Sequence, residues 1–205
     1  HQGDQSLFNH TIQLYGNDHI LIRSIKWVLT LPQIPQLFFN KWDLYKNMIY
    51  RSICNNAFYE YGVCRGVSFK YLMKFFKKGF GFDTFEGLPE DWNNKYKKGS
   101  FSAEGKIPEV KDGTFIAGKF EDTLPTFYSK PRPLASIINF DADLYSSTLC
   151  ALNYSKPVID KNTILIFDEF IVHENWEKDE YKALNEFCYN NNLSYQVLAV
   201  SYFTK

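Results

Sequence analysis

The sequence lacks net charge, paired cysteines and any apolar run long enough to cross a bilayer, and each absence removes a class of function. Lys+Arg and Asp+Glu number 23 each. No broad basic surface is therefore offered to nucleic acid or to an anionic membrane, and a small-molecule partner fits better. The four cysteines, Cys54, Cys64, Cys150 and Cys188, have neither the spacing of a zinc knuckle nor that of a secreted disulfide framework, so a reducing, cytoplasmic setting is expected. No stretch approaches the length of a membrane span, and His1-Gln2-Gly3-Asp4 has no signal-peptide character. The missing initiator Met suggests a trimmed or tagged chain. Internal repeats and low-complexity tracts are also absent.

What is present suits one α/β domain: 205 residues, 45% of them hydrophobic, are enough for a full core. Aromatic content is high at 18%, with 19 Phe and 14 Tyr, which implies aromatic core packing and pocket walls. Two apolar runs stand out because each ends in carboxylates: Leu134 to Phe140 leads into Asp141-Ala142-Asp143, and Ile164-Leu165-Ile166-Phe167 into Asp168-Glu169. Such runs read as buried parallel strands, whose carboxyl ends are where open α/β sheets gather ligands. Acids crowded on one rim resist ionising together unless a cation or a donor-rich ligand sits between them.

Along the chain, residues 17–39 read as a short helix and a loop broken by Pro32 and Pro35, a lead-in and not a core. We place a cap over 1–45 and a catalytic domain over 46–205. Leu44 to Ile53 has helical spacing. Ala57 to Tyr61 and Gly79 to Asp83 read as strands around a helix from Val67 to Lys78. Glu90 to Gly113 reads as a long polar loop of the kind that forms lids, with room for a helical turn. A strand at Thr114 to Ala117 and a helix at Asp122 to Tyr128 follow. Beyond the fourth strand, helices at Ser147 to Tyr154 and Trp176 to Asn190 bracket the fifth, and Ser194 to Val200 reads as a sixth. Strand alternating with helix predicts a doubly wound, mostly parallel sheet in a three-layer α/β/α sandwich, Rossmann-like in its crossovers.

Glu60-Tyr61-Gly62-Val63-Cys64-Arg65-Gly66-Val67-Ser68 lies where the first strand turns into a helix, and its two glycines let backbone approach a ligand closely. A phosphate site would favour Lys here. Glu60, with Asp83 at the next strand end, instead suits an amino group and ribose hydroxyls.

In order, Glu60-x-Gly62-x-x-x-Gly66-x-Ser68, Gly81 to Pro89, Gly118-x-Phe120-x-Asp122-Thr123-Leu124-Pro125, Asp141-x-Asp143-Leu144-Tyr145-Ser146-Ser147-Thr148 and Phe167-Asp168-Glu169 appear. The first resembles the opening motif of class I S-adenosylmethionine-dependent methyltransferases. The later blocks resemble the macrocin O-methyltransferase family of antibiotic sugar modification. The resemblance implies that Glu60, Gly62, Gly66 and Ser68 line the methionine end of S-adenosylmethionine and that Asp83 binds its ribose. Gly118, Phe120 and Glu121 would wrap the adenine. Asp141, Asp168 and Glu169 would hold Mg²⁺, with Asp143 orienting its neighbours; Asp141 counts as a catalytic and cofactor-side residue too. The implied reaction is methyl transfer to a hydroxyl of a sugar or other small metabolite.

The chain departs from the wider methyltransferase pattern twice. Catechol-type relatives carry a lysine base where this chain has Leu144, so His173 is the candidate base, against the plainer reading of a surface-loop histidine. The expected seventh strand is missing, which means a truncated chain or an open edge that a second copy could complete in a homo-oligomer. Trp176, Tyr181 and Phe187 read as core, and Lys95-Tyr96-Lys97-Lys98 as a solvated charge run. Two rival readings are a nucleotide-sugar glycosyltransferase using Asp141-x-Asp143 with a divalent ion, and a methyltransferase-like domain that binds without turnover. A haloacid-dehalogenase-type phosphatase is disfavoured by Tyr145.

Overall fold

The computed structural model describes residues 16–52 and 57–202. The N-terminal residues His1 to Asp4, the helix end expected at Ile53 and Cys54 lie outside them. In chain order the elements are α1 (Ile20–Thr30), β1 (Gln36–Phe38), α2 (Lys41–Arg51), β2 (Ala57–Tyr61), α3 (Val67–Leu72), β3 (Gly79–Asp83), β4 (Gly113–Ala117) and α4 (Phe120–Tyr128). They continue with β5 (Ala135–Phe140), α5 (Tyr145–Ser155), β6 (Ile164–Phe167), α6 (Glu180–Asn191) and β7 (Ala199–Ser201), with short 3₁₀ turns at Lys156–Val158 and Trp176–Lys178.

The main sheet has five strands in the order β4-β3-β2-β5-β6, every pair parallel. Strand order reverses between β2 and β5, so their carboxyl ends diverge into the crevice where doubly wound sheets bind ligands. The alternation of side chains along each strand builds a core on either face. Tyr59, Tyr61, Phe82 and Phe140 pack with Leu124, Leu152 and Leu184 from α4, α5 and α6. Phe58, Ile137, Ile164 and Ile166 pack with Tyr45, Met48, Phe69 and Leu72 from α2 and α3. This is the expected three-layer, Rossmann-like sandwich.

The high aromatic content has a structural use. Phe82, Tyr61, Phe140 and Phe167 stack in a row across β3, β2, β5 and β6, with centroids 4.9, 5.3 and 4.8 Å apart and planes within 19°. Each such pair contributes about 1 kcal/mol beyond its buried area. The residues that follow these four rings are Asp83, Gly62, Asp141 and Asp168, so the ladder sets the register of the rim.

Two expectations need correction. The lead-in is not separate from the core: the boundary at 45/46 falls inside α2, whose Tyr45 and Met48 are buried, and Ile22 and Val28 of α1 are buried too. The apolar stretch Ser194 to Val200 forms strand only at its end, and β7 pairs in parallel with β1 instead of joining the main sheet. The loop expected over 90–113 is borne out up to β4, and backbone bonds within 84–112 close it. Leu88 and Ser100 exchange backbone bonds through Leu88 N–H to Ser100 O and Gly99 N–H to Leu88 O, both 2.9 Å, and Ala103 and Gly105 N–H close onto Phe85 O. Among the described residues no helix is long and apolar enough to cross a membrane.

Candidate functional site

A cavity of about 770 Å³ opens at the carboxyl ends of the strands, within the range of small-molecule sites. Of the expected cofactor residues, Gly62, Asp83, Phe120, Glu121 and Asp141 line it. Glu60, Gly66, Ser68 and Gly118 stand behind this wall.

Gly62 is required by a close approach. Its φ is +90°, and a Cβ there would lie 1.8 Å from the Asp141 carbonyl oxygen. The two diverging strands touch at this point, where Asp141 N–H donates to Tyr61 O at 2.8 Å. Asp83, one residue past its ladder ring, spends its carboxylate on the β2–α3 turn: Oδ2 accepts the N–H groups of Val63 and Cys64 at 2.7 and 2.6 Å, and Oδ1 accepts that of Phe85 at 2.7 Å. Of the roughly four acceptor positions on a carboxylate, one on Oδ1 stays open for a ligand hydroxyl. Gly118, at φ +136°, donates its N–H to Asp83 O at 2.9 Å and turns the chain into α4, whose first residues face the cavity.

Glu60 is fully buried. Its Oε1 accepts from Ser68 Oγ and from Asn139 Nδ2, the latter at 3.0 Å, and Asn139 Oδ1 in turn accepts from the Tyr45 hydroxyl at 2.7 Å. Burial pushes the Glu60 carboxyl up to about 7, against these bonds, which favour ionisation. Its Oε2 has no hydrogen-bond partner among the described residues. A buried carboxylate held on one oxygen and bare on the other is suited to a cationic ligand group. Asn139 and Tyr45 were missed by sequence reasoning, although a polar residue inside the apolar run Ala135 to Phe140 was a visible signal.

The acids converge differently from the expectation. Ligand atoms of Asp141, Asp143 and Glu169 lie within 4.8 Å of one another, and Asp168 is not in this group. Lys41, the first residue of α2, reaches Asp168 Oδ1 at 2.6 Å and Asp141 Oδ2 at 3.8 Å. Burial opposes its charge, but the carboxylates of Asp141 and Asp168 outweigh that and hold the ammonium above its usual range. Asp143, in the left-handed region at φ +60°, is the third acid of the group. Burial, then neighbouring acids, raise both Asp141 and Glu169, and Glu169 Oε2 is buried without a partner among the described residues. Glu180 on α6, also fully buried, accepts the Glu169 N–H at 3.1 Å. Crowded hard oxygens with raised proton affinity fit a divalent cation such as Mg²⁺.

His173 is not a surface histidine. It lines the cavity, its side chain is 20% exposed, and its Nε2 is buried without a partner among the described residues. Burial lowers its pKa, so the imidazole is neutral at neutral pH. The expected core residues Trp176 and Phe187 are buried, and Tyr181 packs against Trp176. The lysine run stays in solvent, with Lys97 paired to Asp91 at 3.1 Å.

Residues 108–204 match the family model described as Macrocin-O-methyltransferase (TylF), a span that includes the Gly118 to Glu169 blocks but not the Glu60 to Ser68 turn. No curated protein matches the chain. Among solved structures it is similar to CalS11, Calicheamicin Methyltransferase, at 22% identity over 70% of this chain and 68% of that one, with a TM-score of 0.56. It is also similar to the O-methyltransferase NovP at 18% identity over 73% of each chain, with a TM-score of 0.52. Likeness at these identities speaks for the fold, with which the five-stranded parallel sheet agrees. Over 108–204, on this shared methyltransferase-like fold, the chain resembles the macrocin O-methyltransferase family.

Proposed function

We propose that the protein is a Mg²⁺-dependent O-methyltransferase that moves the methyl group of S-adenosylmethionine to a hydroxyl of a sugar or other small metabolite. One observation carries this reading: the glycine turn with Asp83 and the carboxylate cluster open into the same cavity. A methyl donor held by the first would face an acceptor held by the second.

Glu60 Oε2 would take the ammonium of the methionine end, the open position of Asp83 Oδ1 a ribose hydroxyl, and Phe120 the adenine face. Asp141, Asp143 and Glu169 would hold the divalent ion, with Lys41 neutralising Asp168 beside them. When bound, the ion would lower the pKa of an acceptor hydroxyl. His173 Nε2, neutral and without a partner among the described residues, would accept the hydroxyl proton. The oxygen–carbon bond forms as the carbon–sulfur bond breaks, so most of what the chain supplies is alignment of the three atoms. Trp92, Tyr96 and Phe101 of the 84–112 loop, which line the cavity, would exclude water.

The sugar acceptor rests on the resemblance, as does the cytoplasmic setting on the scattered cysteines, of which Cys64, Cys150 and Cys188 are free thiols. A homo-oligomer paired along β6 remains part of the proposal and is read by sedimentation. The decisive experiment is calorimetric titration of S-adenosylhomocysteine with and without Mg²⁺, followed by a screen of hydroxylated acceptors. Cofactor binding with metal-dependent turnover supports the reading. No binding of either sulfonium or thioether form under any condition would sink it, and binding of a sugar nucleotide with Mn²⁺ instead would favour the glycosyltransferase.

A further inference from the structure

Asp179 occupies the N-cap position of α6, where an aspartate ordinarily accepts hydrogen bonds from the first turn. Here its side chain makes no cap bond. Its Oδ2 instead accepts the indole N–H of Trp92 at 3.0 Å, across 87 residues of sequence, and stands 3.9 Å from His173 Nδ1. The Trp92 ring lies 5.7 Å from the His173 ring at 60° and stacks on Tyr96 at 5.6 Å and 23°. Tyr96 in turn packs on Phe101, 4.9 Å away. Forgoing a helix cap costs about 1 kcal/mol, so the carboxylate's orientation towards the loop is a use and not a default.

Among the described residues the 84–112 loop is also tied to the body by Ser146 Oγ to Glu90 Oε1 at 2.5 Å, by Cys64 Sγ to Phe101 O at 3.3 Å and, near its start, by Phe85 N–H to Asp83 Oδ1 at 2.7 Å, with Phe85 and Ala103 buried in the core. The first of these is exposed and the second is a weak sulfur donor. The Trp92 to Asp179 bond is partly buried and charge-assisted, the stronger kind.

We propose that Asp179 is a positioning residue that latches the 84–112 loop through Trp92, fixing the aromatic wall Trp92-Tyr96-Phe101 at the acceptor end of the cavity beside His173. The proposal rests on the methyltransferase reading only for naming that end of the cavity.

The test is limited trypsin digestion at Lys95, Lys97 and Lys98, exposed residues that follow Trp92 in the loop. Native protein, Trp92→Phe, Asp179→Ala and Asp179→Asn are digested at equal intervals below their own unfolding midpoints, so that global stability does not enter. Trp92→Phe keeps the ring stack and deletes the donor; Asp179→Asn keeps an acceptor oxygen. Trp92→Phe and Asp179→Ala should be cut about fivefold faster than native protein, with Asp179→Asn within about twofold of native, the factors that loss or retention of one such bond represents. Equal cutting of native protein, Trp92→Phe and Asp179→Ala would overturn the latch, as would Asp179→Asn cut as fast as Asp179→Ala. Titration of S-adenosylhomocysteine into the same proteins keeps the two claims apart: a latched loop in a protein that binds no cofactor sinks the proposed function and leaves the latch standing.

Discussion

At the Gly62 end of the cavity Gly62, Asp83, Asp141 and Asp168 each follow a stacked aromatic of the sheet, whereas at the Trp92 end the wall is a loop tied to the body by side chains. The first end draws its rigidity from parallel strand pairing and from the ladder of Phe82, Tyr61, Phe140 and Phe167. The second is anchored near the loop's ends by the buried Phe85 and Ala103, and between them by bonds to Asp179, Ser146 and Cys64. An enzyme that keeps one donor and adapts to an acceptor benefits from this division, because precise placement is cheap on strands and variation is tolerated on loops.

The sharpest way to break the rigid end is Gly62→Ala. A Cβ at φ +90° would overlap the Asp141 carbonyl oxygen, and since the backbone fixes both the Cβ position and that oxygen, neither can swing away. Separation of β2 from β5 should cost about 3 kcal/mol or more, read by denaturant unfolding. Cofactor binding should vanish with it. Gly99, at φ +84° with nothing within 4 Å of its Cβ position, offers the matching loop substitution, and Gly99→Ala should cost about 1 kcal/mol from backbone strain alone. Equal costs at the two glycines would erase the distinction between the ends.

Glu60 gives the next largest effect. Its carboxyl titrates near 7 when folded, against an ordinary value of 4.5. Below the lower value the group is protonated in both states. Between the two the unfolded chain releases the proton and the folded chain keeps it, so apo stability falls with rising pH, by about 3 kcal/mol over the window, and levels off above it. Glu60→Gln keeps the bonds from Ser68 and Asn139 and should flatten this slope in urea titrations run across the window. A native slope that the substitution leaves unchanged would assign the effect to another acid. A cationic ligand favours the ionised form, so S-adenosylhomocysteine affinity should rise through about pH 7 in the native protein and not in the variant.

The sheet and the Gly62 end were legible because buried apolar runs terminating in acids or glycine leave few other readings: Ala57 to Tyr61 and Gly79 to Asp83 form strands with the bounds their patterns suggest. The departures have one cause, side chains that meet across long stretches of sequence. Acids at adjacent strand ends announce a shared rim, but not which carboxylate turns inward, and Lys41, from a segment read as lead-in, turns Asp168 away. Pro32 and Pro35 disguised β1, a strand of three residues, and so hid the partner that draws β7 out of the main sheet. Nothing local marks Trp92 and Asp179 as a pair.

The competing ligand sets separate by metal affinity. Asp143→Asn should weaken Mn²⁺ binding, read by paramagnetic resonance without any acceptor, about tenfold or more, whereas Asp168→Asn, which removes a carboxylate already paired with Lys41, should change it by less than about threefold. The reverse order would restore the set implied by the resemblance.

Tyr45→Phe probes the weakest link, the joint between the lead-in and the rigid end. The substitution keeps the buried ring, which packs against Trp42 and Tyr71, and deletes only the hydroxyl that donates to Asn139 Oδ1. A buried acceptor left without its donor costs about 1–2 kcal/mol, so a modest loss of stability is expected whatever the lead-in does. The informative quantity is the coupling to Glu60. Asn139 bridges the two residues, accepting from Tyr45 and donating to Glu60, so the double variant Tyr45→Phe/Glu60→Ala, which removes both partners, should depart from the sum of the single effects by about 0.5 kcal/mol or more. Strict additivity would mean that α2 merely covers the sheet, and that the Glu60 carboxylate is held by Ser68 and the strand alone.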